Sequence, residues 1–288
     1  MILKPMPFVE AIAALAEKGL LPTTLGTDEL SHLPAELRRM SIFSARVSRA
    51  DILDEILTLC RQVVDPTATS ETPGTAVDVP TAIAKLGSYL RGIGYAPEPG
   101  TEGSLKDLAS YPRRELIVRM NTQMVYGLGQ HIQANDPEVL DAFPAQELYR
   151  ARGRKNPRGG GGGNQFSAAD GYGGTFWPRK WLDAGGKFYG GGRMIALKDD
   201  PIWTKMSRFG NPYPPYDFNS GLGVKPVPRR EAVEFGLLAK GQQVKPSPIN
   251  LRQPLQAGIQ ALSQPILDAL RASVHGAVVK DGILTIEE

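Results

Sequence analysis

Cysteine is almost missing from this chain. Cys60 stands alone among 288 residues, which excludes an intramolecular disulfide framework and makes a reducing cytosol the expected place of synthesis. Histidine is nearly as scarce, with His32, His131 and His275 scattered singly. A zinc site takes four Cys or His ligands, or three and a water, usually at short spacings. No metal site can be written down, and no cofactor is expected. Long apolar runs are lacking as well: no stretch reaches about 18 apolar residues, and the N-terminus shows no basic segment followed by an apolar run. The expectation is a soluble protein without a membrane partner.

Catalytic signatures are equally thin. Gly-x-Ser-x-Gly, His-Glu-x-x-His and a Gly-x-Gly-x-x-Gly in a supporting context are missing. The glycines at 159–163 do not make a phosphate-binding loop, because the Lys-Ser/Thr end is missing and no strand precedes them. Asp199, Asp200 and Asp217 are carboxylates that could bind Mg²⁺ or serve as acid and base. Asp199 and Asp200 are adjacent, however, and Asp200 before Pro201 reads as a turn or cap residue. Cys60 falls on the apolar face of a helix and reads as a buried thiol. No catalytic residue is assigned, and the chain is expected not to be an enzyme.

What is abundant is glycine and proline, 32 and 24 residues, in a chain that is 41% hydrophobic. That hydrophobic share excludes general disorder, while the glycines and prolines call for long irregular connections. The net charge of +3 is too small to imply nucleic acid, but its distribution is uneven. Residues 176–230 carry ten basic against four acidic side chains, and 150–158 hold five basic residues in nine positions. Such a patch can hold DNA phosphates, an acidic protein face, or solvent.

Helical spacing of apolar residues predicts helices over 8–18, over 28–40 with Pro34 dividing it, and from the Ser48/Asp51 capping pattern to Val63. Further helices are expected over 78–89, 113–134 and 138–149. Residues 151–175 read as a flexible basic and Gly-rich loop. Beyond it, 176–181, 187–189 and 193–197 are short strand-capable or irregular pieces, and 229–238 is a short helix. The tail, 241–288, is expected to run as linker, a helix over 257–273 and a hairpin around Asp281-Gly282. The expected fold is α+β: a mostly helical region at 1–150, and a small sheet or irregular aromatic, Pro- and Gly-rich lid at 176–240 that completes the main domain, followed by a C-terminal β-hairpin.

The densest stretch is 203–223, with the polar run 198–201 leading into it; together they hold five aromatics, four prolines and three glycines. Prolines stiffen it toward polyproline II, and Asn219-Ser220-Gly221 is turn chemistry. Three readings stay open at this point: an irregular segment covering a core, a surface built to meet another subunit, or an active-site loop. Trp203, Phe209, Tyr213, Tyr216 and Phe218 are its candidate lid or protein-interface anchors.

Gly185-Gly186, Arg193, Asp200-Pro201, Trp203 and the run FGNPYPPYDFNSG at 209–221, followed by Arg229-x-Glu231-Ala232, resemble the minor head or head-morphogenesis proteins of tailed bacteriophages and prophages, the phage Mu F-like group. The similarity extends upstream through 113–122 and the PAQELYR run at 144–150, covering about 21–238, with 209–221 its most specific part. One departure is plain: many members end the domain with clustered Cys and His, and this chain has no such cluster. The resemblance implies a non-enzymatic minor structural or assembly protein of the virion head, made in the host cytoplasm. It would act near the portal in procapsid assembly, DNA packaging or ejection. Portal or capsid proteins are the implied partners, with an oligomer in the assembled particle allowed for. Arg150, Arg152, Arg154, Lys155, Arg158, Arg179 and Lys180 are candidate contacts to DNA phosphates without sequence preference, or to acidic protein. The rival reading is an effector-type transferase or nuclease acting through Arg193, Trp203 and Asp217.

Overall fold

The computed structural model describes residues 7–65, 77–152 and 176–246, and the strands at 256–258, 277–280 and 283–286. The expected loops at 66–73 and 153–175, the tail helix from 259 onward and the Asp281-Gly282 turn lie outside the described residues. The chain divides into two compact units, Met1–Gly129 with Asn250–Glu288, and Gln130–Ile249.

The first unit opens with α1 (Val9–Ala16), β1 (Gly19–Leu20), α2 (Thr27–Ser31), α3 (Ala35–Arg39) and β2 (Ser41–Ile42). Pro34 separates α2 from α3 as the residue just before α3, where a missing amide proton costs nothing. β1 and β2 pair in parallel, Gly19 with Ser41 and Leu20 with Ile42. Lys18 ties this pair to the end of α3, its buried ammonium donating to the carbonyls of Arg39 and Ser41. Burial holds that ammonium down at about 8, and pushes the buried Cys60 thiol up to about 12.

Then come α4 (Ala50–Val64), α5 (Val79–Gly92) and α6 (Tyr111–Ala134). Ile52, Leu53, Ile56, Leu57, Cys60 and Val64 form the buried stripe of α4. The Ser48 capping box does not form. Arg49 occupies the cap position without a side-chain cap bond, and Asp51 pairs with Arg49 instead. Asp78 does cap α5, accepting from the Thr81 amide at 2.8 Å. Gly87 leaves room on α5 for Arg114 of α6, whose Nη1 donates to the Ile83 carbonyl at 2.6 Å.

The second unit contains α7 (Pro137–Ala142), β3 (Ala145–Arg150), α8 (Phe176–Asp183), β4 (Phe188–Tyr189), β5 (Arg193–Leu197), α9 (Ile202–Met206), β6 (Leu222–Val227) and α10 (Arg229–Glu234). Its sheet runs β4-β5-β3-β6, antiparallel throughout. Alternation along the strands sends Leu148, Met194, Ala196 and Leu222 into one core and Ala145, Ile195 and Val227 into another. Near the C-terminus, β7 (Gln256–Gly258), β8 (Ala277–Lys280) and β9 (Ile283–Ile286) form an antiparallel sheet in the order β7-β9-β8.

The expected α+β plan is therefore wrong. The protein is a mixed α/β fold with scattered helices and small open sheets. Strands β1 and β2 interrupt the front half, and the helix expected over 138–149 stops at Ala142. Pro144 cannot donate to a helical carbonyl, and the residues after it become β3, the strand that pairs with β5 on one side and β6 on the other. Strands from 176–240 form one sheet with β3, which lies in the region expected to be helical. The 176–181 piece, expected as strand or irregular, is helix α8. In place of a lone terminal hairpin, a third strand, β7, joins β9.

Candidate functional site

The second unit is built around four aromatic side chains. Trp177 and Trp181 stand four residues apart on α8, which puts both on one helical face, and both are buried. The chain turns at Gly185, φ +96°, a conformation that glycine adopts without strain. The Trp181 indole then donates to the Lys187 carbonyl at 2.9 Å. Just ahead of α9, Asp200 accepts from the Ile202 amide at 2.8 Å in a turn through Pro201. This places Trp203 so that its Nε1 donates to the Leu197 carbonyl of β5 at 2.7 Å. Trp203 lies 5.5 Å from Trp181 and stacks on Tyr216 at 6.2 Å, with an interplanar angle of 25°.

The aromatic-proline segment folds over this cluster from α9 to β6. The Arg208 amide donates to the Tyr216 carbonyl at 2.8 Å. Phe209 meets Phe218 edge to face at 5.0 Å, Arg208 covers the Phe218 ring, and Tyr213 packs on His131 at 5.4 Å. The Pro214-Pro215 peptide is cis, and Asn219 and Gly221 take left-handed φ values of 48° and 67° before β6 begins. Trp203 and Tyr216 are wholly buried, Phe209 and Tyr213 are buried, and Phe218 is half-buried. Burial of a ring of this size is worth about 2–3 kcal/mol over leaving it exposed, and a fully covered ring keeps no area for a partner. Trp203 and Tyr216 therefore act within the unit, and the edge of Phe218 is what the segment offers outward. Burial raises the Tyr216 phenol well above its usual range, and among the described residues its Oη has no hydrogen-bond partner.

The charged candidates are placed very differently from one another. Arg150 is buried on β3, with Nη1 donating to the Ser220 carbonyl at 3.3 Å. Lys180 donates to the Met206 carbonyl at 2.7 Å and lies over the Trp177 ring. Arg152 and Arg179 are exposed. Arg154, Lys155 and Arg158 lie outside the described residues. Arg193 bonds Glu147 through Nε at 2.8 Å and Nη2 at 2.5 Å, and Glu231 through Nη1. Lys225 adds a further contact to Glu147 at 3.2 Å. The Glu147 hydrogen bonds raise the Arg193 guanidinium further above its usual range. Lys198 is buried, its Nζ donating to the Ala134 carbonyl at 2.9 Å, and burial lowers it to about 8.

Arg193, Trp203 and Asp217, the trio of the enzyme reading, are each spent on the fold: Arg193 on two glutamates, Trp203 on the Leu197 carbonyl, and buried Asp217 on the Phe218 amide at 2.7 Å. Among the described residues no group of three or more His, Cys, Asp or Glu is placed to hold a metal ion. Among them, too, no helix is long and apolar enough to cross a membrane. Sequence reasoning missed Trp177 and Trp181, whose four-residue spacing was the available signal. Glu147 and Glu231 stand in the PAQELYR and Arg229-x-Glu231-Ala232 runs, but their pairing with Arg193 has no local signal. Comparison with known proteins returns no match to this chain among family models, curated proteins or solved structures.

Proposed function

We propose that the chain is a non-enzymatic minor structural or assembly protein of a tailed-phage head, working near the portal in procapsid assembly, DNA packaging or ejection. The observation that carries this reading is the behaviour of the residues on which the resemblance rests. Gly186, Arg193, Asp200, Trp203, Tyr216 and Glu231 are spread over 186–231, yet each has a defined task in one module. Gly186 packs on Trp181, Arg193 bridges Glu147 and Glu231, Asp200 accepts from the Ile202 amide ahead of α9, and Trp203 stacks on Tyr216. A pattern of this kind marks a shared fold more than a shared reaction. Portal or capsid subunits are the proposed partners, and Arg152 and Arg179 remain as exposed charges for DNA or for an acidic protein face.

Quantitative mass spectrometry of proheads and virions tests the proposal. The expected result is this chain at low copy in one or both particles. Complete absence from both overturns the head assignment.

A further inference from the structure

The first unit holds a cleft of about 450 Å³ that the phage-head reading does not use. It forms where the turn at 45–47, the start of α2 and the segment 105–108 meet the first turn of α6. Three cations line it: Arg46, Lys106 and Arg113. Arg113 is sunk into the wall, its Nη2 donating to Ser44 Oγ at 2.6 Å and to the Ala45 carbonyl at 2.9 Å. Among the described residues it pairs with no carboxylate, and burial lowers its hold on its proton. A guanidinium in that position keeps its charge against a desolvation cost that an incoming carboxylate would offset.

The other donors are arranged to the same effect. Tyr95 Oη accepts from the Leu108 amide at 3.1 Å, which leaves the phenolic proton to donate. Arg46 is held at φ 59°, a left-handed value for a non-glycine residue, because its amide reaches the Leu25 carbonyl at 2.9 Å and Val47 bridges to Thr23. Lys106 is exposed at the rim beside Leu105, which is 54% exposed.

Asp28 and Glu29 belong to the same lining, with Glu29 accepting from the Gly26 amide at 2.6 Å. Two carboxylates oppose a multiply charged anion such as a nucleic-acid backbone. A single carboxylate carried among apolar side chains suits the mixture of three cations, two acids and Val47, Leu105 and Leu108.

We propose that this cleft receives an acidic peptide segment of a partner protein, one Asp or Glu carboxylate meeting Arg113, Lys106 and Tyr95 while an apolar neighbour covers Leu105. The proposal stands apart from the phage-head reading, since it concerns the other unit and needs no particular partner identity.

The test is fluorescence anisotropy of a labelled acetyl-Gly-Leu-Glu-Leu-Gly-amide peptide titrated with the full chain at low salt. Saturable binding is expected, with a loss of about tenfold in Arg113→Gln and about threefold in Lys106→Gln. Lys240→Gln, an exposed change in the second unit, should leave it unaltered, and the peptide with Gln in place of Glu should not bind. Because Lys106 is exposed, its variant keeps the test decisive if Arg113→Gln fails to fold. Absence of saturable binding, binding indifferent to Lys106→Gln, or equal binding of the Gln peptide overturns the proposal. Displacement by inorganic phosphate at matched concentration also overturns it, since that behaviour belongs to a general anion site.

Discussion

Gly186 lies against the indole edge of Trp181, so that a β-carbon built on it would stand 2.3 Å from Nε1 and 2.4 Å from Cε2. The same two residues are joined through the Gly186 amide, which donates to the Trp181 carbonyl at 2.8 Å. The glycine lets the chain turn back beneath the ring while Nε1 reaches Lys187. Gly186→Ala is expected to displace the indole or the turn and to cost about 1–3 kcal/mol, as overpacking of a fitted core does. Gly92, with no atom within 4 Å of its built β-carbon, is the control, and Gly92→Ala should be neutral or slightly stabilising. Urea unfolding of both variants measures the difference. Equal stability of the two would show that Trp181 yields freely.

Tyr216 should reverse the usual sign of a core substitution. Its hydroxyl is buried without a partner among the described residues, a state that costs about 1–3 kcal/mol on mutational scales. Tyr216→Phe keeps the ring on Trp203 and removes the stranded oxygen, so a gain of about 1 kcal/mol is expected. Tyr213→Ala, which strips a buried ring from His131, should instead lose about 2–4 kcal/mol. Thermal unfolding of the two variants should move the midpoint in opposite directions. A lower midpoint for Tyr216→Phe would mean that the hydroxyl has a polar partner in solution.

The elements that the sequence announces are those whose cause is local. The stripe from Ile52 to Val64 repeats with helical period, Asp78 precedes Pro80 at a helix start, and Met194 to Leu197 is an apolar run between glycines and a turn. β3 has no such local cause. Its residues, Ala-Gln-Glu-Leu-Tyr-Arg, include several good helix formers, and they are a strand because Glu147 sits opposite Ile195 on one side and Lys225 on the other. The same distance effect hides the site. Composition marks Trp203 and Tyr216 as anchors, but the contacts of Trp203 with Tyr216 and with Trp181 arise only once α8, α9 and the loop share one face of the sheet. The charge on Arg193 looked available because Glu147 and Glu231 lie far from it in sequence.

The two buried lysines give stability a pH dependence with a definite sign. Lys18 and Lys198 are held at about 8, below the ordinary 10.5, so the unfolded chain binds more protons between those values. Stability is therefore greatest above the upper value and is lost as pH falls toward 8. For Lys18, which is buried, the slope reaches at most about 1.4 kcal/mol per pH unit. Cys60 acts oppositely, because its raised thiol removes stability once the unfolded thiol ionises above 9.0. Between pH 8 and 9 the lysines dominate, and the unfolding free energy from urea titration should rise. Lys18→Met should flatten that rise and leave only the Lys198 part. A flat profile in the unaltered protein would refute the account.

DNA binding, if the exposed arginines serve it, should be weak and indifferent to sequence. Arg152 and Arg179 are exposed, while Arg150 and Lys180 already donate to backbone carbonyls of their own unit. Together with Arg154, Lys155 and Arg158 the exposed pair supplies enough cations to meet about three to five phosphates, and the logarithmic salt slope for duplex DNA should then be about −3 to −4.5. No helix among the described residues carries Arg, Asn and Gln at base-reading spacing beside Arg152, so unrelated duplexes should bind alike. Replacing Arg152 and Arg179 by Gln should lower the slope by about two without changing thermal stability, whereas Arg150→Gln should act chiefly on stability by removing a buried charge from the Ser220 carbonyl. Fluorescence titrations from about 50 to 300 mM salt make the measurement. No detectable affinity at the lowest salt, with the protein folded, would transfer these arginines to an acidic protein face. The salt-sensitive partner to seek would then be a portal or capsid subunit, read out by the same double substitution.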